Sequence, residues 1–153
     1  MRALIQRVTR AKVTIDGKVI GEIGKGYVIL FGAKEGDTKK EADLLSEKIV
    51  NLRIMNDKEN KMNLSVKDAG GEILVVSQFT LYAQLSGGRR PSFIKAAKPE
   101  TAKDLYEYFI GKFRISGLKK IAAGEFGAYM VVEIINDGPV TIIMDTQDFK
   151  TKH

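Results

Sequence analysis

Ile73-Leu74-Val75-Val76-Ser77-Gln78-Phe79-Thr80-Leu81 is the stretch on which the reading of this chain turns. Its first four residues form an uninterrupted apolar run with the β-branched enrichment of a buried strand. Three polar side chains, Ser77, Gln78 and Thr80, then arrive together at its end. Polar groups at the end of a buried strand cost free energy unless they are hydrogen-bonded or have a chemical task. The pattern predicts a strand over residues 72–82 with a candidate site at its tip.

Upstream, residues 2–9, 11–16, 18–23 and 26–33 read as short strands, separated by turn signals such as Asp16-Gly17 and Gly24-Lys25-Gly26. Thr38-Lys39-Lys40-Glu41 has the spacing of a capping box, with Thr38 as N-cap. Ala42, Leu45, Ile49 and Leu52 then recur at helical spacing, which predicts an amphipathic helix over residues 39–51. Residues 56–71 are polar and read as loop with one extended piece, and residues 84–91 are loop by composition.

Pro99 suits the first turn of a second helix, with Leu105, Tyr108, Phe109 and Phe113 on one face and Gly117 as its stop. Strands are expected at about 119–125, 128–136 and 140–146, with Asn136-Asp137-Gly138 a good hairpin signal between the last two. The expected fold is α+β: a single domain over residues 1–153, a mostly antiparallel sheet and two covering helices.

With 153 residues and 44% hydrophobic composition, the chain is long enough to bury a core and too apolar to be disordered. No apolar run approaches the roughly 18 residues of a membrane span, and Arg7 and Arg10 interrupt the N-terminal segment as no signal peptide would tolerate. A cytoplasmic protein without membrane attachment is expected. A net charge of +6 fits either a solvated surface with excess lysine or a polyanionic partner. Arg89-Arg90, Lys95, Lys98, Lys119-Lys120 and Lys150-Thr151-Lys152 would contact such a partner.

The chemical inventory is narrow. There is no cysteine, and the one histidine, His153, is the last residue. Ser-His-Asp and Cys-His catalysis and the usual zinc hydrolases are therefore excluded. No tight carboxylate cluster stands out; Asp57, Glu59, Asp145 and Asp148 read as solvent-facing, and neither metal nor cofactor is expected.

Residues 77–81 and Asn136-Asp137-Gly138-Pro139-Val140-Thr141 resemble the two signature motifs of the D-aminoacyl-tRNA deacylases. The opening Met1-Arg2-Ala3-Leu4-Ile5-Gln6-Arg7-Val8, the loop Arg90-Pro91-Ser92-Phe93 and Gly124-Glu125-Phe126-Gly127-Ala128-Tyr129-Met130 resemble the same family in the same order. One departure is Gly88-Arg89-Arg90-Pro91, where the family pattern has Asn before the Arg. The resemblance implies a barrel-like sheet with the helices outside, and a homodimeric hydrolase whose site lies at the subunit interface. It would cleave the ester of D-aminoacyl-tRNA and act on glycyl-tRNA. A non-catalytic basic RNA-binding module is the alternative.

Under that resemblance Ser77, Gln78, Phe79 and Thr80 form the catalytic segment. Thr80 is either a covalent nucleophile or a positioning residue. A threonine hydroxyl needs a base, and none is placed by spacing, so positioning is favoured, with the vicinal ribose hydroxyl assisting water. Phe79 is expected to offer its main-chain N–H and turn its ring inward. Gly138-Pro139 would be cis and reach into the partner's site. There its carbonyl oxygens would accept from the α-ammonium and crowd out an L side chain, leaving side-chain identity unread. Arg7 would hold that element, and Phe126, Gly127, Ala128 and Met130 would line the pocket for the terminal adenosine.

Overall fold

The computed structural model describes residues 1–150. Its centre is one long strand, β1 (Arg2–Ile15), which pairs antiparallel with three others. Along one edge its first half meets β3 (Gly26–Gly32) and its second half meets β2 (Lys18–Ile23). A final strand, β8 (Val131–Asp145), follows β1 over nearly its whole length. The expected strands 2–9 and 11–16 are thus one element. Thr9 and Arg10 carry no turn chemistry, and the chain passes them with a register shift instead of a break.

After β3 the chain crosses through helix α1 (Lys39–Val50), the short hairpin β4 (Met55–Asn56) and β5 (Met62–Leu64), and returns as β6 (Glu72–Ser77). A second crossover through α2 (Pro99–Arg114) leads to β7 (Ile121–Ala123). Each helical crossover brings the chain back to its starting end, so β3, β6 and β7 run parallel. The sheet is therefore mixed, not mostly antiparallel, with order β2-β1-β3-β6-β7 and β8 on the other edge of β1.

Its two ends come close together. A Cβ on Gly21 of β2 would stand 3.3 Å from the Ala123 carbonyl oxygen in β7, so a residue without one sits where the barrel nearly closes. Strand alternation divides the core in two. Val8, Ala11, Val13, Ile23, Val28, Leu74 and Val76 fill the barrel interior. Ile5, Tyr27, Ile29, Phe31, Ile73 and Val75 face outward beneath the helices.

The helices follow their sequence signals. The Thr38 hydroxyl accepts from Lys40 N–H (3.3 Å) while the Glu41 carboxylate accepts from Thr38 N–H (2.8 Å), the predicted capping box. Pro99 opens α2, and Leu105, Phe109 and Phe113 face the core, but the buried tyrosine is Tyr106. Tyr108 is half-buried and donates to Asp43 on α1 (2.6 Å). Gly117, at φ +84°, lies two residues beyond the cap at Ile115.

Two further expectations are corrected. The strand over 72–82 ends at Ser77, and residues Phe79–Tyr82 form a 3₁₀ turn. The hairpin at Asn136-Asp137-Gly138 does not form. Both halves of β8 pair with β1, and residues 137–140 stand opposite the single residue Arg7 as a wide bulge. Pro139 has no N–H to give a ladder, so the chain leaves the sheet where pairing would be lost anyway. The Gly138-Pro139 peptide is cis. His153 and Lys152 lie outside the described residues.

Candidate active site

The 3₁₀ turn sits where β6 leaves the sheet. Gln78 N–H still donates to Phe31 O (2.6 Å), the last ladder bond toward β3. Leu81 and Ala83 N–H then return to Gln78 O (3.2 Å) and Thr80 O (3.0 Å). This geometry leaves the Phe79 and Thr80 N–H groups without partners inside the turn. Arg2 fastens its far end by donating from Nη1 to Leu81 O (2.7 Å) and from Nε to Asp145 Oδ2 (3.0 Å), with its guanidinium 4.6 Å from the Tyr82 ring centroid.

The Gln78 side-chain amide donates to Thr80 Oγ1. An amide cannot take a proton from a hydroxyl, so this contact orients Thr80 without activating it as a nucleophile. The Phe79 ring is not turned inward as expected. It is 53% exposed and meets Phe93 edge-on at 5.0 Å, because the 3₁₀ turn aims it across the opening toward the 84–98 loop.

Ser77, Gln78 and Phe79 line a pocket of about 690 Å³. The opposite wall is the segment expected from the sequence: Phe126, Gly127, Ala128 and Met130 all line it. Gly127 takes φ +78° in the turn closed by Ala128 N–H to Glu125 O (3.3 Å), a conformation that side-chain-bearing residues rarely adopt. Phe126 lines the pocket and also packs on the outer core, 5.9 Å from Tyr106.

Tyr106 ties the two walls. Its buried hydroxyl donates toward Gly124 O (2.6 Å) and Val75 O (3.0 Å), while Gly124 N–H donates to Val75 O (2.8 Å). Burial pushes this phenol well above its ordinary range, so it stays a donor. The third side of the pocket is the run from Phe93 to Ala102, in which Ile94 is 81% exposed and Lys98 supplies a cation. Phe93-Ile94, an apolar pair inside a polar loop, was the sequence signal for this wall.

Arg7, Gly138 and Pro139 do not line this pocket. They form a second cluster. Arg7 is 6% exposed and donates from Nη1 to Ile54 O (2.9 Å) and Asn56 Oδ1 (2.8 Å), and from Nε to Asp137 O (3.1 Å). The Asp137 carboxylate lies 3.5 Å from the same Nε. Asn136 closes the neck of the bulge, accepting from Val140 N–H (3.1 Å) and donating to Thr141 Oγ1 (2.9 Å). Gly138 and Pro139 project from this base and are exposed. Asn56 and the Ile54 carbonyl were illegible in sequence, because their contact with Arg7 depends on where the 51–56 segment returns.

The remaining carboxylates divide. Glu59 and Asp148 are exposed as expected, whereas Asp57 is half-buried, accepting from Glu59 and Lys61 N–H, and Asp145 is half-buried on Arg2. Among the described residues no group of three or more His, Cys, Asp or Glu side chains gathers as a metal site would. No described helix is long and apolar enough to cross a membrane.

Residues 4–145 match the family model of D-Tyr-tRNA(Tyr) deacylase. A D-aminoacyl-tRNA deacylase of Dehalococcoides mccartyi is 55% identical over 148 residues, covering 97% of this chain and 96% of its own. One from Thermosipho melanesiensis is 52% identical, covering 96% and 98%. A solved structure of a c-Myc DNA unwinding element binding protein superposes with TM-score 0.88 at 44% identity, covering 95% of this chain and 98% of that one. A probable eukaryotic D-amino acid tRNA deacylase shares the fold, with TM-score 0.76 at 17% identity and coverage of 94% and 97%. The match runs through both the pocket segment and the Arg7 bulge, and the chain belongs to the D-Tyr-tRNA(Tyr) deacylase family.

Proposed function

We propose that this protein hydrolyses the ester joining a D-amino acid to the 3′ end of tRNA. The observation that carries the reading is the pocket in which residues 77–79 face residues 126–130 in a chain of this family; Thr80 stands outside its lining and reaches it through the Gln78 amide. An aminoacyl ester is already activated, so positioning and oxyanion stabilisation suffice. The terminal adenosine would lie against residues 126–130. The ester carbonyl would lie over the Phe79 and Thr80 N–H groups. Water adds to the carbonyl carbon with the vicinal ribose hydroxyl assisting, the oxyanion collapses, and the carbon–oxygen bond to the ribose breaks as that oxygen takes a proton. Gln78 and Thr80 position these atoms.

Handedness is selected by the exposed Gly138-Pro139 bulge. In one protomer that bulge lies outside the pocket, so the complete site needs a second copy. Among the described residues the outer edge of β8 is unpaired, and the strand carries exposed Val131, Ile135 and Ile143, a surface suited to such a homodimer. Main-chain oxygens there crowd an L side chain, pass a D residue and admit glycyl-tRNA. A tRNA substrate places the protein in the cytoplasm.

The test is to incubate the protein with D-tyrosyl-tRNA and follow ester loss beside filter binding of uncharged tRNA. Ester loss is expected. Binding without any ester loss would leave the RNA-binding module as the correct reading.

A further inference from the structure

A second cavity lies behind the catalytic turn. It has a volume of about 240 Å³, and Arg2, Lys34, Tyr82, Lys95, Asp145 and Gln147 are among its walls. It shares two segments with the main pocket. The Phe79–Tyr82 turn presents Phe79 to the pocket and Tyr82 to this cleft, about 6 Å apart at the roughly 2 Å rise of a 3₁₀ residue. The 93–98 segment presents Phe93, Ile94 and Ala96 to the pocket and Lys95 to the cleft.

The charges in the cleft do not cancel. Asp145 is engaged by Arg2 (3.0 Å) and by Gln147 N–H (3.0 Å). Lys34 and Lys95 make no ion pair with a carboxylate among the described residues. Their backbones are fixed: Lys34 pairs with Ala96, Lys34 N–H donates to Asp37 Oδ2 (2.7 Å), and Glu35 N–H donates to Lys95 O (3.0 Å). Tyr82 adds the second observation. It is 5% exposed, and its hydroxyl has no hydrogen-bond partner among the described residues. Burial, then Asp145 and Asp37, push that hydroxyl above its ordinary range against the pull of Arg2, so it stays protonated. A buried donor without an acceptor costs free energy, which a small shift of the Tyr82 side chain toward an arriving anion would relieve.

We propose that this cleft, with Lys34, Lys95, Arg2 and the Tyr82 hydroxyl, is a phosphate site for the single-stranded 3′ end of the RNA substrate. The inference rests on the reading that the neighbouring pocket takes the terminal nucleoside. A strand leaving that pocket past the turn meets the cleft next, and unpaired lysines attract its phosphates.

The test compares wild type with the Lys34→Ala/Lys95→Ala double variant on two substrates: D-tyrosyl-tRNA, and 3′-O-(D-tyrosyl)adenosine, which has no phosphate. KM for the tRNA should rise at least tenfold with kcat held within twofold. Turnover of the adenosine ester should be unchanged, and Lys34→Arg/Lys95→Arg should restore the tRNA KM. The salt slope of log affinity for uncharged tRNA should fall by about 1.4, at roughly 0.7 per single-strand contact. An unchanged tRNA KM and salt slope would overturn the proposal, as would an equal loss on both substrates. If wild type cleaves neither ester, the hydrolase reading fails by itself, and the salt slope for uncharged tRNA still decides the phosphate site.

Discussion

The pocket beside the 3₁₀ turn and the Arg7 bulge are built on opposite plans. The pocket is concave, and its walls are held by main-chain bonds and by one buried phenol, Tyr106. The bulge is convex with Gly138 and Pro139 exposed at its tip, and one buried guanidinium pins it from below while Asn136 closes its neck. A cavity made by many packed segments loses a little when one side chain is trimmed. A projection resting on one charged side chain loses most of its support at once. Chemistry and chiral selection are therefore expected to fail separately.

The largest effect is expected from Arg7→Ala. Ile54 O, Asn56 and Asp137 O would lose a charged donor together, costing about 3 kcal/mol of stability. Thermal unfolding measures that loss, and the ratio of D- to L-tyrosyl-tRNA turnover should fall with it. Tyr106→Phe should cost about 2 kcal/mol by removing the buried donor to Gly124 O. It should slow hydrolysis and leave the D/L ratio intact; a changed ratio would mean the two regions are not separable.

Thr80→Ala tests the pocket more gently. Hydrolysis of D-tyrosyl-tRNA should stay within about tenfold, roughly 1.4 kcal/mol. A loss of several hundredfold would restore the covalent nucleophile. Asn136→Ala opens the neck of the bulge at about 1 kcal/mol, and should erode the D/L ratio while D turnover persists.

The smallest effect is a control distant from both regions. Asp43 accepts from Tyr108 (2.6 Å) and pairs with Lys112 (3.2 Å). The Tyr108 bond leads in holding its carboxyl below the ordinary value. A depressed folded pKa contributes stability above the unfolded value of about 3.9, and that stability is lost as pH falls through the folded value. Asp43→Asn should lower the melting temperature near neutral pH slightly and leave less to lose below pH 4. Activity should not change.

The legible parts of this molecule were those decided locally. Thr38 and Glu41 cap α1 because both partners lie within one turn, and Pro99 opens α2 for the same kind of reason. The 77–80 segment could be read from its own residues, polar groups closing a buried run, whereas residues 126–130 were legible only through the family resemblance. What escaped depended on distant partners. Asn136-Asp137-Gly138 carries the local chemistry of a hairpin, yet β1 is long enough to pair with both halves of β8 and turns the hairpin into a bulge. The Phe79 ring looked like core because the residues before it are core. The strand ends at Ser77, two residues before it. Parallel pairing of β3, β6 and β7 cannot be seen in any one segment, since it is a property of the two helical crossovers.

Side-by-side incubation of the purified protein with D-tyrosyl-tRNA and L-tyrosyl-tRNA tests the central claim most directly. The account predicts that the D ester disappears while the L ester decays no faster than in buffer alone. Equal loss of both would leave an esterase and remove the Gly138-Pro139 bulge from its role in selecting handedness.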